Sequence, residues 1–312
     1  MRQFFSKLSD KFKLLQRFEN IMPAHLQGIV LALISTGMFV FVGAIVRLLS
    51  ERIDLFQILL FRQIVFILLL TPVIVKSLDI LLKPKMKSLH VMRITGAFIA
   101  LYFGFVTVSN IPFADATALG FTQVLFVAVI SRMFLSESVG LLRILTIVVG
   151  FLGVMLVIQP SFDSTSIFYT LVGLSGALGA AIAVVCVRRM AQSQSRVTLL
   201  TYQAIFVGLI ALVPGIYGWQ WPTTYEFLLL VSVGVISSIA QWIGVTAYKV
   251  TEANIVANVE YAKIIYSLII GYYLFMEMPN ILSLIGVSII IASALLPILC
   301  KSLSKKVDSV TS

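Results

Sequence analysis

The chain has 312 residues, of which 60% are hydrophobic and only 12% charged, whereas soluble domains carry about 25% charged residues. With a mean hydropathy of +1.05, this composition excludes a soluble globular protein and reads as a polytopic membrane protein. A net charge of +10 would suit nucleic acid in a soluble protein, but the basic residues here prove to be loop charges on one side of a membrane.

Residues 1–25 hold Arg2, Lys7, Lys11, Lys13 and Arg17, while Phe4, Leu8, Phe12, Leu15 and Phe18 recur at helical spacing. That pattern predicts an amphipathic cytoplasmic segment lying on the inner leaflet. It lacks an uninterrupted apolar stretch followed by a small-residue cleavage site, so it does not read as a cleaved secretory signal.

Apolar stretches then follow at 26–49, 55–75, 89–109, 114–134, 140–159, 167–189, 197–217, 225–248, 253–275 and 281–300. Each approaches the ~20 residues needed to cross ~30 Å of hydrocarbon. Pro84, Pro112, Pro160, Pro222 and Pro279 fall between them, where breakers are expected. The fold class is therefore an all-α membrane protein of ten transmembrane helices. A first five-helix unit covers 26–160, a second covers 167–300, and a cytoplasmic tail occupies 301–312.

With the N-terminus inside, the Lys and Arg residues collect on the cytoplasmic segments and their flanks, Lys87 and Arg93 among them. Only Arg47 and Arg52 fall on the opposite side, and Arg62 and Lys263 lie within spans. The positive-inside rule then places both termini in the cytoplasm, and the basic balance needs no nucleic acid. Cys186 and Cys300 sit in apolar runs without CxxC spacing, so neither a disulfide frame nor a metal site is indicated.

The chain repeats itself. FLSESVGLLRILTIVVGFLGVMLV from Phe134 lines up without gaps on FMEMPNILSLIGVSIIIASALLPI from Phe275, and IVRLL at Ile45 faces VCVRRM at Val185. An odd number of spans per half turns the second half upside down relative to the first. Two inverted five-helix repeats are the pattern of secondary transporters, whose substrate site tends to lie near mid-membrane between the halves.

Two five-span halves, ADATAL opening the fourth span, Glu137 in FLSES, Glu277 in FMEMP and Arg62 in LLFRQ resemble the drug/metabolite transporter superfamily, in its EamA-type branch. The resemblance covers about residues 26–300. It implies a multi-pass permease or exporter of the bacterial inner membrane, with a central cavity lined by spans 1–4 and 6–9 and with spans 5 and 10 peripheral. Members include exporters of amino acids and drugs, and importers of compounds such as S-adenosylmethionine or riboflavin. One departure stands out: Glu260 and Lys263 align with the uncharged Gly120 and Gln123 of the first half.

Those two charges lead the candidate site. An ionisable group in mid-span costs roughly 2.5–3.5 kcal/mol on insertion scales, so it faces a partner or water. Three residues apart, Glu260 and Lys263 share a helix face with Ser267 and Gly271. They form either a closed pair that orients the helix or a substrate site. Arg62 lies ~12 Å in from the opposite surface. It either snorkels to the headgroups or anchors a carboxylate or phosphate. Together the three sum to a positive cavity that favours an anionic or zwitterionic, amino-acid-like metabolite.

Gln123, Gln203 and Gln241 are interhelical hydrogen-bond partners or substrate contacts. Tyr102, Trp242 and Tyr202 are candidate aromatic walls. Asp115, just after Pro112, reads as a helix cap with a coupling-ion role as the alternative, and Glu260 shares that coupling role. Glu137 and Glu277 look like turn or capping residues, and GALGA from Gly176 like close helix packing.

Enzymatic chemistry finds no foothold. The two histidines, His25 and His90, lie at cytoplasmic ends of spans, and HExxH, GxSxG and phosphate-binding GxxxxGK[ST] are all missing. The expected partners are a small-molecule substrate, the lipid bilayer and protons; no cofactor or metal is expected, and a homodimer is compatible with the chain. A non-transporting receptor or assembly subunit built on the same bundle is the alternative from another class.

Overall fold

The computed structural model describes residues 24–76, 86–135, 141–159, 164–251 and 262–293, together with Val256 and Val259. Among them every regular element is a helix. In chain order these are α1 (Ala24–Leu49), α2 (Leu55–Lys76), α3 (Lys87–Asn110), α4 (Phe113–Gly120), α5 (Gln123–Leu135), α6 (Leu141–Ile158), α7 (Ser164–Ala191), α8 (Arg196–Tyr217), α9 (Thr224–Val250) and α10 (Ala262–Phe275). A last helix, α11, covers Ile281–Ser293. Large apolar side chains such as Leu68, Leu209 and Val213 remain exposed on the outside of the bundle. Lipid covers that surface, so helices buried on one side and wetted by hydrocarbon on the other are apolar all round.

Among the described residues, seven stretches are long and apolar enough to cross a membrane: α1, α2, α3, the α4–α5 pair as Asp115–Phe134, α7, α8 and α9. Val148–Val157 of α6, α10 and α11 are apolar but shorter. They occupy the places of the expected fifth, ninth and tenth spans. The N-terminal segment 1–23, the turn with Glu137, Glu260 with its neighbours, Cys300 and the C-terminal tail lie outside the described residues.

One expected element comes out in two pieces. The single span predicted over 114–134 is divided between α4 and α5 by a tight turn at Phe121 and Thr122. Thr122 N–H donates to Leu119 C=O at 3.0 Å, and the Thr122 hydroxyl donates to the same carbonyl at 2.8 Å. A hydroxyl competing for a backbone acceptor tightens the turn.

Packing runs across the two halves. α1 lies on α9, α2 on α8, α3 on α7 and α4 on α10. The GALGA run explains the α3–α7 contact: a Cβ on Gly96 would come within 2.7 Å of Gly179 O, and one on Gly179 within 2.8 Å of Gly96 O. Only glycine lets the two backbones approach so closely. Gly153 of α6 and Gly286 of α11 meet in the same way. α9 starts with a capping box in which Thr223 and Glu226 serve each other's backbone N–H. Two main apolar cores hold the bundle. One gathers Met190, Leu199 and Tyr248, and the other gathers Leu49, Ile53 and Leu230.

Candidate functional site: a cationic cavity between the halves

A cavity of about 340 Å³ lies along the interior of the bundle, with Ser35, Arg62, Arg93, Thr117, Gln123, Gly176, Gln203, Gln241 and Lys263 in its wall. These residues come from α1, α2, α3, α4, α5, α7, α8, α9 and α10 in turn, and α6 and α11 add none. Gly104, Gly173, Gly176, Ala177 and Ala180 keep the wall thin where α3 and α7 face the space.

Arg62 is 1% exposed, so it does not snorkel to the headgroups. Among the described residues, neither Nη1 nor Nη2 has a hydrogen-bond partner. A buried guanidinium costs several kcal/mol of desolvation, and among the described residues no carboxylate offsets that cost. Such a group persists where water or a ligand meets it.

Arg93 is a second buried cation, also 1% exposed. Loop charge alone assigns it to the cytoplasmic flank, but it lies inside α3 and in the cavity wall. Its Nη1 donates to the Leu199 carbonyl, and its Nη2 donates to Gln203 Oε1 at 2.7 Å. Gln241 Nε2 donates to that same oxygen at 3.5 Å, so the Gln203 amide orientation is set by two donors. These acceptors are neutral, and Arg93 keeps its full charge. The signal that could have found it is periodic: Arg93, Ala97, Leu101, Gly104 and Val108 recur at helical spacing, and all of them line the cavity.

Of the candidates named from sequence, Arg62, Gln123, Gln203, Gln241 and Lys263 are therefore brought to one cavity. Among its described lining residues none is Asp or Glu. Glu260 lies outside the described residues. Tyr102 and Trp242 are directed elsewhere. Tyr102 stacks on Phe56 with ring centroids 4.0 Å apart and on Phe98 at 5.9 Å, and Trp242 lies beneath the Arg196 guanidinium at 5.7 Å. Tyr202 stacks against His90 at 4.6 Å. These three aromatics pack against other rings or a guanidinium, and the aromatic wall of the cavity comes instead from Phe39, Phe105, Phe113 and Tyr248.

Asp115 stands in the first turn of α4, where it favours the helix dipole. The N-cap residue Pro112 supplies no side-chain cap bond. Instead Phe113 N–H donates to both carboxylate oxygens of Glu277, at 3.1 and 3.0 Å. Asp115 faces a separate pocket of about 300 Å³ with Gln159, Glu277, Asn280 and Ser283. Glu277 is positioned by Met276, whose φ of 54° reverses the chain after α10 and returns Glu277 N–H to Gly271 C=O at 3.0 Å. Glu277 thus caps a helix, as a turn or capping residue should, but one in the other half of the chain. Phe113, 1% exposed, lines the central cavity while its backbone touches Glu277, so it forms the partition between the two spaces.

The EamA-like transporter family matches the chain twice, over residues 26–159 and 167–299. An S-adenosylmethionine uptake transporter of Rickettsia bellii is 26% identical, over 84% of this chain and 90% of its own length. A pseudopaline exporter of Pseudomonas aeruginosa is 26% identical, over 86% of this chain and 94% of that protein. A riboflavin transporter of Vibrio cholerae is 27% identical, over 65% of this chain and 69% of its own. A solved crystal structure superposes with a TM-score of 0.70 at 16% identity, covering 90% of this chain and 98% of that one. At such identity the last likeness shows the fold alone.

Proposed function

The chain belongs to the EamA-like transporter family, and from that premise we propose that it is a secondary carrier moving a small organic metabolite with an anionic group across the bacterial inner membrane. The family and the relatives are transporters, not enzymes. The observation that carries the substrate class is Arg62: a buried guanidinium with two unpartnered terminal nitrogens in the wall of a cavity between the halves. Its planar fork matches a carboxylate or a phosphate.

In this reading the chain forms ten spans in two inverted repeats, and the pairing of α1 with α9, α2 with α8 and α3 with α7 supports that symmetry. The halves rock about the cavity in alternating access. Arg62 and Lys263 anchor the acidic group of the substrate, and Gln123, Gln203 and Gln241 supply neutral hydrogen bonds. Glu260 serves as the proton-responsive or amine-binding group. Both termini are cytoplasmic. Export is the favoured direction, because a membrane potential that is negative inside drives an anion outward by about 2.3 kcal/mol per charge per 100 mV.

The test is reconstitution into liposomes loaded with labelled organic acids and amino acids, with an imposed potential. Potential-dependent flux of at least one anionic compound is expected, together with its loss in Arg62→Gln. If no labelled metabolite moves, and neither Arg62→Gln nor Glu260→Gln alters a growth assay, the carrier reading is lost.

A further inference from the structure

Arg62 and Arg93 occupy opposite thirds of the same cavity. α2 and α3 are neighbours in the chain and run in opposite directions, with 22 and 24 residues. Arg62 is seven residues in from one end of the bundle and Arg93 six residues in from the other. Gln63, next to Arg62, packs on Gly208 of α8, whereas Arg93 bonds Leu199 and Gln203 of the same helix, so at 1.5 Å per residue the two arginines are met about 8–14 Å apart along α8. Both side chains are 1% exposed, both line the cavity, and the described lining contains no carboxylate to balance them.

Two full positive charges in one low-dielectric space repel each other and are each costly to desolvate. Arg93 is also held in a fixed pose, since Leu199 C=O and Gln203 Oε1 take its two terminal nitrogens while Nε is left without a partner. A side chain fixed by neutral acceptors, with no carboxylate against it among the described residues and its Nε–H without a partner, is arranged to receive an anion. Arg62, with both terminal nitrogens free, is arranged to receive another.

From this juxtaposition we infer that the substrate carries two separated anionic groups, one met by Arg62 and the other by Arg93 in the layer it forms with Gln203 and Gln241. The inference rests on the carrier reading above and narrows its substrate from an anion to an elongated dianion, of which α,ω-dicarboxylates are the simplest chemical type. A ligand spanning both arginines neutralises both charges at once and connects the two halves, because Arg62 and Arg93 belong to the first half while Gln203 and Gln241 belong to the second.

The experiment is a binding titration of the purified full chain with straight-chain dicarboxylates from succinate to suberate, each paired with the monocarboxylate of equal length. The best dicarboxylate is expected to bind at least tenfold tighter than its paired monocarboxylate. Arg93→Gln should cost that dicarboxylate at least tenfold and bring the ratio toward one, with Arg93→Lys intermediate, while Arg62→Gln weakens both series. Equal affinity for both members of every pair in the unaltered chain overturns the inference, as does an Arg93→Gln variant that weakens both series alike. If Arg93→Gln does not fold, the ratios in the unaltered chain and in Arg93→Lys still decide. Loss of the carrier reading shows separately, as bound ligand without any flux in liposomes.

Discussion

Arg47 Nη1 lies 2.6 Å from Glu277 Oε1, and the same guanidinium sits 4.4 Å above the ring of Phe275. Glu277 in turn receives Phe113 N–H, and the Phe113 and Phe275 rings meet at 5.5 Å. Arg47 and Phe113 come from the first half and Phe275 and Glu277 from the second, so four residues tie the halves together at one end of the cavity. On the orientation given by the loop charges, that end faces outward. A second tie lies on the same side, where Arg52 donates to Glu226 and to Trp221 C=O, and that pairing raises the Arg52 guanidinium above its ordinary pKa. Both basic residues left outside by the charge count therefore pair with carboxylates of the opposite half.

In the alternating-access reading proposed above, an outer closure of this kind opens once in each cycle. The Arg47 and Glu277 side chains are 26% and 22% exposed, so their coupling falls between the ~0–1 kcal/mol of surface pairs and the 3–5 kcal/mol lost on breaking a buried one. About 1.5 kcal/mol changes a two-state population about tenfold. With Cys186 and Cys300 replaced by Ala and a cysteine placed at Thr117 in the cavity wall, Glu277→Gln should speed labelling by an impermeant thiol reagent from outside about tenfold. The charge swap Arg47→Glu with Glu277→Arg should bring the rate back only in part, because arginine at 277 restores the ion pair but cannot accept Phe113 N–H. An unchanged or slower rate in Glu277→Gln would show that this contact does not hold the outer side shut.

Arg62 separates function from stability. Replacing an unpaired buried charge by an apolar side chain of similar length is expected to stabilise, by the 1–4 kcal/mol seen when buried ions are replaced by apolar groups. Arg62→Met should therefore raise the midpoint of thermal unfolding while abolishing anion binding and flux. A lower midpoint would mean that the guanidinium supports the fold, and its assignment to the substrate would fail.

Much of this architecture is legible in the chain because a bilayer imposes simple rules. Helix length, loop charge and the repeat depend on local composition, and from them follow the long apolar helices and the place of Arg62 within one of them, while its burial, left open between headgroup and ligand, comes from the packing. What is not legible depends on which face of an apolar helix turns inward, since a helix apolar all round carries little periodic signal. For that reason Arg93 reads as a flank charge, and Tyr102 and Trp242 read as cavity walls. The role of Glu277 is hidden for a different reason. Its partners Arg47 and Phe113 lie 230 and 164 residues away, and only the reversal at Met276 brings the carboxylate to them.

The asymmetry between the repeats makes a further prediction. Gly120 and Gln123 adjoin the break between α4 and α5, and both line the cavity, as does Lys263 of α10. If the charges of the second half are a specialisation of the site, Glu260→Gly with Lys263→Gln should insert, express and fold normally yet change which labelled compounds exchange. Failure to insert or express would make the pair structural.

Two glycines of α3 should answer alanine in opposite ways. A methyl group on Gly96 would fall 2.7 Å from Gly179 O and 3.1 Å from Ala183 N, both backbone atoms that cannot move aside. Gly96→Ala must therefore push α3 and α7 apart, at the ~1–3 kcal/mol typical of overpacking, and should lower the unfolding midpoint. A methyl group on Gly104 would meet nothing within 4 Å, because that position opens onto the cavity. Gly104→Ala should keep or slightly raise the midpoint, since alanine is the better helix former by about 1 kcal/mol. Its effect should appear instead as slower flux, greatest for the bulkiest substrates, because the methyl group takes volume from the space they occupy. Thermal unfolding and flux assays on the two variants check both halves of the prediction. A stable Gly96→Ala variant, or a Gly104→Ala variant with unaltered flux for every compound tested, would place the close contact or the cavity elsewhere along α3.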